Sequence, residues 1–357
     1  MDYDVTHTNH QTNSLEAHWM PFSANRHFKT KPRMIERSKG MRCWNNQGQE
    51  IIDGSSGLFC VPAGHGREEI AKAVYKQMLD NDYVSPFQLA QPNSFAFAQK
   101  IASLLPDPIN RVFFVNSGSE AIDTCIKMVM AYHRANGQSQ RLRFVSRERA
   151  YHGVNMGGTS LSGMVRNRET FPVVMPNISL IRHTFDDTQR FTRGQPERGA
   201  ELADDLERIC QTYGGQTIAA VFVEPIAGST GVLLPPKNYL ERLRQICNHH
   251  GILLVFDEVI CGFGRLGANF GADAFGVTPD LVTMAKALTN GAIPMGAVAA
   301  SDSIYDIITN AAPDESIEFF HGYTYSAHPA ACAAGLATQE IYARENLFQR
   351  AHQLIKP

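Results

Sequence analysis

The chain has 357 residues, 43% hydrophobic and 19% charged, with a formal net charge of −2. That length suits a large domain with a smaller companion, and the charge balance offers no basic surface for nucleic acid or anionic lipid. No apolar run reaches the ~18 residues that span a bilayer, and the opening MDYDVTHTNH has neither the basic nor the apolar region of a secretory leader. The seven cysteines are scattered without a CxxC pair, as expected of reduced thiols in a cytoplasmic protein with no disulfide framework or zinc site.

Residues 1 to about 60 carry Pro21, Pro32 and Gly40 and show no repeating rhythm; they are expected to form an arm and part of the smaller domain. From there the chain alternates. Arg111–Asn116 (RVFFVN) predicts a strand, followed by a polar turn and a helix over Ser119–Arg134. Leu142–Ser146 predicts a second strand. Thr217–Val223 (TIAAVFV) predicts a third and runs into Glu224. Tyr239–His250 has helical spacing, with Leu240, Leu243, Ile246 and Cys247 on one side and Gly251 as its C-terminal cap. Ile252–Phe256 (ILLVF) is fully apolar and ends in Asp257. The run beginning at Leu281 ends on Lys286, just before the loop residues Asn290, Gly291 and Pro294. Apolar strands separated by amphipathic helices predict an α/β domain whose mostly parallel sheet is buried on both faces.

Ligands of such sheets collect at the carboxyl ends of the strands, and three groups stand there. Ser117-Gly118-Ser119 opens a helix with free backbone N–H groups and two hydroxyls, which is either an anion site or an ordinary N-cap. Asp257 is either a ligand-holding carboxylate or a loop cap. Lys286 is either an amine made nucleophilic by burial or a lysine whose stem lies along the sheet while its amine reaches solvent. One cofactor would use all three: pyridoxal 5'-phosphate carries a phosphate, a basic ring nitrogen and an aldehyde. GFGRLG, after Asp257, does not sit between a strand and a helix as a dinucleotide fingerprint requires, and no ribose-binding acid follows it.

The sequence resembles the class III (subgroup II) pyridoxal-phosphate aminotransferases, especially the ω-amino acid–pyruvate and β-alanine–pyruvate branch. The motifs that carry the resemblance are AGHGREEI at Ala63–Ile70, FFVNSGSEAIDTCIKM at Phe113–Met128 and YHG at Tyr151–Gly153. They continue with VFVEPIAGSTGVLLPP at Val221–Pro236, LLVFDEVICGFGRLG at Leu253–Gly267, AKALTNGAIPMGAV from Ala285 and HGYTYSAHPAACAAG at His321–Gly335. The resemblance implies the fold type I, aspartate-aminotransferase-like architecture: a large cofactor-binding domain over residues 61–330 and, from 331, the start of a connection to a C-terminal small domain.

It also implies roles. Ser117, Gly118 and Ser119 match the phosphate turn. Tyr151 matches the aromatic stacked on the pyridine ring, and His152 and Gly153 shape its loop. Asp257 matches the ring-nitrogen partner, Val259 the residue on the opposite ring face and Lys286 the Schiff-base lysine. Glu224 matches an acid near the cofactor. Thr324 matches the threonine that reaches the neighbouring subunit's phosphate, so a homodimer or a dimer of dimers is expected. Phe22, Phe59 and Phe87 match residues along the substrate entrance, although relatives often have tryptophan at the position of Phe59. The implied reaction is ping-pong transfer of an amino group from an ω-amino acid such as β-alanine to pyruvate. Lys286 acts as both base and acid.

One departure bears on substrate reading. Family members run well past this length, and the chain stops at Gln353–Pro357, inside the helix expected to lead to the small domain. The arginine that usually grips the substrate carboxylate is expected beyond that point, with Arg26 and Arg265 read as solvated or structural. A weakly active or non-catalytic cofactor-binding fragment is therefore one alternative. A decarboxylating relative is another, whereas an aminomutase is disfavoured by Thr289-Asn290-Gly291, where those enzymes carry a glycine run.

Overall fold

The computed structural model describes residues 14–172 and 175–354. The opening segment and the last three residues, on which the readings of leader and chain end rest, lie outside that range. The chain divides into two compact units, residues 1–54 and 55–357.

The first unit holds a three-stranded antiparallel sheet: β1 (Ile35–Lys39), β2 (Arg42–Asn45) and β3 (Glu50–Ile52). Its strands are short and largely exposed, so no alternation of apolar residues marks them. The guanidinium of Arg37 lies 3.8 Å from the ring centre of Trp44 and supplies part of the contact that burial does not.

The second unit is built on a seven-stranded sheet. Its strands are β4 (Ile109–Val115), β5 (Arg143–Arg147), β6 (Ile178–Ile181), β7 (Ile218–Val223), β8 (Leu253–Asp257), β9 (Leu281–Met284) and β10 (Gly296–Ser301), in the order β4-β10-β9-β8-β7-β5-β6. Strands β6, β5, β7, β8 and β9 pair in parallel, and only β10 runs against its neighbours β9 and β4. All residues of β7, β8, β9 and β10 are buried, which is why these segments read as continuous apolar runs.

Helices cover both faces. Val221, Val223, Leu254 and Phe256 point to one side and pack with Leu240, Leu243 and Cys247 of α5 (Tyr239–His250); here α1 to α4 are Glu68–Asp80, Pro92–Ala102, Gly118–Ala135 and Asp204–Tyr213. The alternate residues Ala220, Phe222, Leu253 and Val255 point the other way, onto Ile122, Cys125 and Val129 of α3. Helices α6 (Pro329–Arg344) and α7 (Leu347–Leu354) close the chain; α6 packs its alanine-rich face on α1 and α2. Gly251 caps α5 at φ 64°, as expected.

Lys286 departs from expectation in one respect. β9 ends at Met284, and Lys286 opens a 3₁₀ turn (Lys286–Thr289) with φ +48°. The run is a strand, but the lysine stands just past its carboxyl end, where its amine need not enter the core. Among the described residues, no helix is long and apolar enough to cross a membrane and no group of three or more metal-ligating side chains occurs.

Candidate active site

Strand order brings distant residues to one edge. β4 delivers Ser117–Ser119, β5 delivers Tyr151 and His152, and β7 delivers Glu224, while β8 ends in Asp257 and β9 leads to Lys286. These segments span nearly half the chain, and the parallel sheet aligns their carboxyl ends.

At the β4 end, Ser117 is the N-cap of α3 and its hydroxyl oxygen accepts from the Glu120 N–H at 3.1 Å. The Glu120 carboxylate reaches back to the Asn116 N–H at 2.7 Å, a reciprocal closure that holds the turn rigid. Ser119 Oγ accepts from the Val154 N–H at 3.0 Å and ties the turn to the Tyr-His-Gly loop. The N-cap reading of this turn is the one seen in the structure. The serine caps its helix, yet Gly118 and Ser119 still direct their N–H groups outward ahead of the first intrahelical acceptor, and both hydroxyl protons remain available. Two glycines keep the space open. A Cβ on Gly118 would come within 3.1 Å of Val259, and one on Gly153, at φ +89°, would lie 2.5 Å from Ser119 Oγ.

Asp257 is 5% exposed and tightly held. His152 Nδ1 lies 2.8 Å from its Oδ2, while Oδ1 accepts from the Val259 N–H at 3.1 Å and the Thr283 hydroxyl at 3.3 Å. The other ring nitrogen of His152 meets Ser146 Oγ at 3.1 Å. The tautomer that satisfies both contacts donates from Nδ1 to the carboxylate and accepts at Nε2. Asp257 caps the following loop through the Val259 N–H and is in addition paired with His152. Sequence reading placed His152 among the cofactor-binding residues, in the loop after Tyr151, but did not join it to Asp257. The two residues stand 105 positions apart, and no spacing signal could have joined them.

Burial lowers the pKa of Lys286, and Asp257 is the largest influence opposing the shift. Its Nζ lies 5.9 Å from the Phe59 ring centre, and the Arg265 guanidinium carbon lies 5.8 Å from the same ring. Glu224 is buried, which raises its pKa. It accepts from the Tyr151 N–H at 2.7 Å and the Gly228 N–H at 3.0 Å, so it joins two loops at the edge of the site. Its neighbour in this respect is Glu258, which sequence reading passed over. Burial pushes Glu258 up to about 7, and it accepts the N–H groups of Gly271 and Ala272 at 2.9 Å.

The remaining expected residues are arranged differently. Thr324 is exposed, and its carbonyl accepts from the Tyr83 hydroxyl at 3.0 Å. Phe87 is exposed and lies against Gly322, close to a Cβ added there (3.0 Å), so it travels with the loop that carries Thr324. Phe22 belongs to the first unit, where its side chain is exposed. Of the three phenylalanines, only Phe59 has its ring beside Lys286 among the contacts of the described residues.

An amine at one strand end, a histidine-held carboxylate at the next and a helix-opening anion turn match the donor set that pyridoxal phosphate needs. The family model for class III aminotransferases matches residues 23–357. The chain belongs to the class III aminotransferases. It is 54% identical over 340 residues to an omega-aminotransferase of Caulobacter vibrioides, covering 95% of this chain and 77% of that protein. To a beta-alanine–pyruvate aminotransferase of Pseudomonas aeruginosa it is 52% identical, over 96% and 76% of the two chains. The solved omega transaminase of Pseudomonas jessenii in complex with PMP superposes with a TM-score of 0.90 at 32% identity, over 95% of this chain and 76% of that one. Class III aminotransferases depend on pyridoxal phosphate and move an amino group from a donor to a keto-acid acceptor, and this aminotransferase does the same.

Proposed function

We propose that this aminotransferase takes the amino group of an ω-amino acid, β-alanine in the first instance, and passes it to pyruvate, with Lys286 and Asp257 as its catalytic pair. The substrate assignment is supported by the printed activities of relatives at 52% identity, which act on β-alanine or ω-amino acids with pyruvate. The observation that carries the site assignment is the buried Asp257 carboxylate, fixed by His152 at 2.8 Å and acting electrostatically on the half-buried Lys286 amine.

When bound, pyridoxal phosphate supplies an aldehyde that takes up amines and a ring that accepts the electron pair left when a proton departs. The remaining steps belong to the chain. The hydroxyls of Ser117 and Ser119 and the N–H groups of Gly118 and Ser119 bind the phosphate at the positive end of α3. Tyr151 and Val259 would hold the cofactor's ring. Asp257 holds a proton on the ring nitrogen, and His152 fixes the rotamer in which it can do so. Lys286, whose neutral form burial favours, would take the proton from the carbon that bears the amino group and deliver it to the cofactor's former aldehyde carbon. Glu224 serves by joining the Tyr151 and Gly228 loops.

The same reading takes residues 61–330 as the cofactor-binding body, with residues 1–60 and 331–357 belonging to the small domain and its connection, and places the protein in the cytoplasm. It also makes a homodimer the active unit, with Thr324 and its companion Phe87 serving a second subunit. Exposed apolar side chains support the dimer: Leu58, Leu89, Phe95, Tyr325 and Phe320 stay open in the single chain.

Borohydride reduction of the holoenzyme tests the central assignment. The cofactor is expected on the peptide that contains Lys286. Label on another lysine, or none on protein saturated with cofactor, overturns it. The substrate assignment is tested by steady-state turnover of β-alanine with pyruvate, and preference for a different donor class would replace it.

A further inference from the structure

The Phe59 ring is brought to Lys286 by an unusual piece of backbone. Ser56, Gly57, Leu58 and Phe59 have φ values of 53°, 56°, 63° and 65°, so the four together form one turn of left-handed helix. Its hydrogen bonds run from Phe59 N to Ser55 O and from Cys60 N to Ser56 O, both 2.9 Å. Three of the four residues are not glycine, and L-residues occupy this region against a steric cost at each position. Core packing does not offset that cost at Leu58, whose side chain is 69% exposed. Gly57 is the one position where a side chain has no room, since its Cβ would lie 2.8 Å from Val61.

Arg265 closes the turn. Its Nη2 donates to the Phe59 carbonyl at 3.2 Å, and its guanidinium carbon lies 5.8 Å from the Phe59 ring centre. Burial lowers the pKa of Arg265, and the titratable groups nearest its charge, Tyr342, Cys261 and Cys60, include no carboxylate. The loop that carries Arg265 is itself clamped by α7: Cβ atoms on Gly264 and Gly267 would strike Phe348 and His352, and His352 Nε2 bonds the Gly267 carbonyl at 2.8 Å. Strained backbone that persists beside a reactive group is over-determined by its surroundings, and here the surrounding group is a guanidinium.

We propose that Arg265 is a positioning residue: with the left-handed turn Ser56–Phe59 it holds the Phe59 ring beside Lys286, and thereby sets how bulky an amine the site accepts. The inference rests on the reading of Lys286 and Phe59 as parts of the amine site. It replaces the sequence-based reading of Arg265 as merely solvated or structural.

The test is a double-mutant cycle on the holoenzyme with Phe59→Ala and Arg265→Met. The readout is the ratio of kcat/KM for a bulky amine, 1-phenylethylamine, to that for β-alanine, with cofactor absorbance as the control for an assembled site. Phe59→Ala is expected to raise the ratio at least about tenfold, the scale on which a pocket discriminates one missing group. Arg265→Met is expected to raise it in the same direction, and the double variant no further than Phe59→Ala alone. Arg265→Lys, which keeps a donor for the Phe59 carbonyl, should restore most of the original ratio; if the methionine variant does not assemble, Arg265→Gln, whose shorter side chain falls short of that carbonyl, takes its place and is expected to raise the ratio.

An unchanged ratio in Phe59→Ala removes the underlying reading of Phe59. A changed ratio there with none in Arg265→Met, or strictly additive effects, overturns the inference alone. Loss of β-alanine and pyruvate turnover in Arg265→Met, with the carboxylate-free amine unaffected, also overturns it and makes Arg265 a carboxylate-binding residue instead.

Discussion

Asp257 and Lys286 divide the work of the site by environment. One is a carboxylate held by three donors, the other an amine whose charge is disfavoured by burial and favoured by that carboxylate. Asp257→Asn should still capture cofactor on Lys286 but lose transamination by about 100-fold or more, the range for removing a group that manages a proton in the transition state. Single-turnover absorbance measures this, and near-normal rates would reduce Asp257 to a structural role. The sign of a pH effect follows as well. Capture of cofactor needs the neutral amine, so in the apoenzyme it should rise with pH through a midpoint below the ordinary lysine value of 10.5. Asp257 opposes that shift, so Asp257→Asn should move the midpoint lower still. A midpoint at or above the ordinary value would show that the lysine is solvated. His152→Ala removes a buried hydrogen bond to a charged group, a loss of about 1.5–3 kcal/mol, and should slow the half-reaction roughly tenfold or more while cofactor still binds.

Elements matter here through how their ends are tied. The buried guanidinium of Arg141 donates to the carbonyls of Gly215, Ile218 and His250 at 2.8–3.1 Å, and so joins the start of β7 to the end of α5. Removing it takes a donor from three carbonyls, of which Gly215 keeps the Ile218 N–H. Arg141→Met should therefore lower stability by about 3 kcal/mol, read as a fall in the denaturant midpoint. The cofactor spectrum should be unchanged, because this junction lies away from the β8 and β9 ends. Stability within about 0.5 kcal/mol of wild type would mean that water replaces the guanidinium without loss. The left-handed turn makes the complementary point: Leu58→Gly relaxes one costly residue, but the glycine's added unfolded-state freedom and the loss of a side chain that the dimer covers offset the gain, so stability should stay within about 0.5 kcal/mol of wild type.

At the scale of the molecule, the proposed dimer makes each site the work of two chains. Thr324 is exposed and its loop is fixed by Tyr83, with ring centres of Tyr83 and Tyr325 6.0 Å apart. A dimer in which Thr324 serves the opposite cofactor gives a trans-complementation test. Lys286→Ala and Thr324→Val homodimers should each be impaired. Mixed after subunit exchange, they should recover activity, because one site of each heterodimer then combines an intact Lys286 with an intact Thr324. No recovery, with exchange verified by mass, would mean that Thr324 serves its own chain.

What a single sequence carries well is local and repetitive. β7 and β8 were legible because burial on both faces leaves an unbroken apolar run, and α5 because its apolar face repeats with the helical period and stops at Gly251. Residue types at strand ends, Ser117–Ser119, Asp257 and Lys286, narrowed the chemistry to one cofactor before any coordinates. The small antiparallel sheet of residues 35–52 was not legible, since strands of three to five mostly exposed residues leave no pattern. Tertiary structure alone decided the rest. Which strand ends become neighbours depends on the order β4-β10-β9-β8-β7-β5-β6, and that order brings His152 to Asp257 across 105 residues, while a contact outside the sheet joins Arg265 to Phe59 across 206. The handedness of Ser56–Phe59 is equally invisible in its letters: Ser, Leu and Phe all prefer the right-handed or extended regions, and only contacts made elsewhere in the fold hold them in the left-handed one.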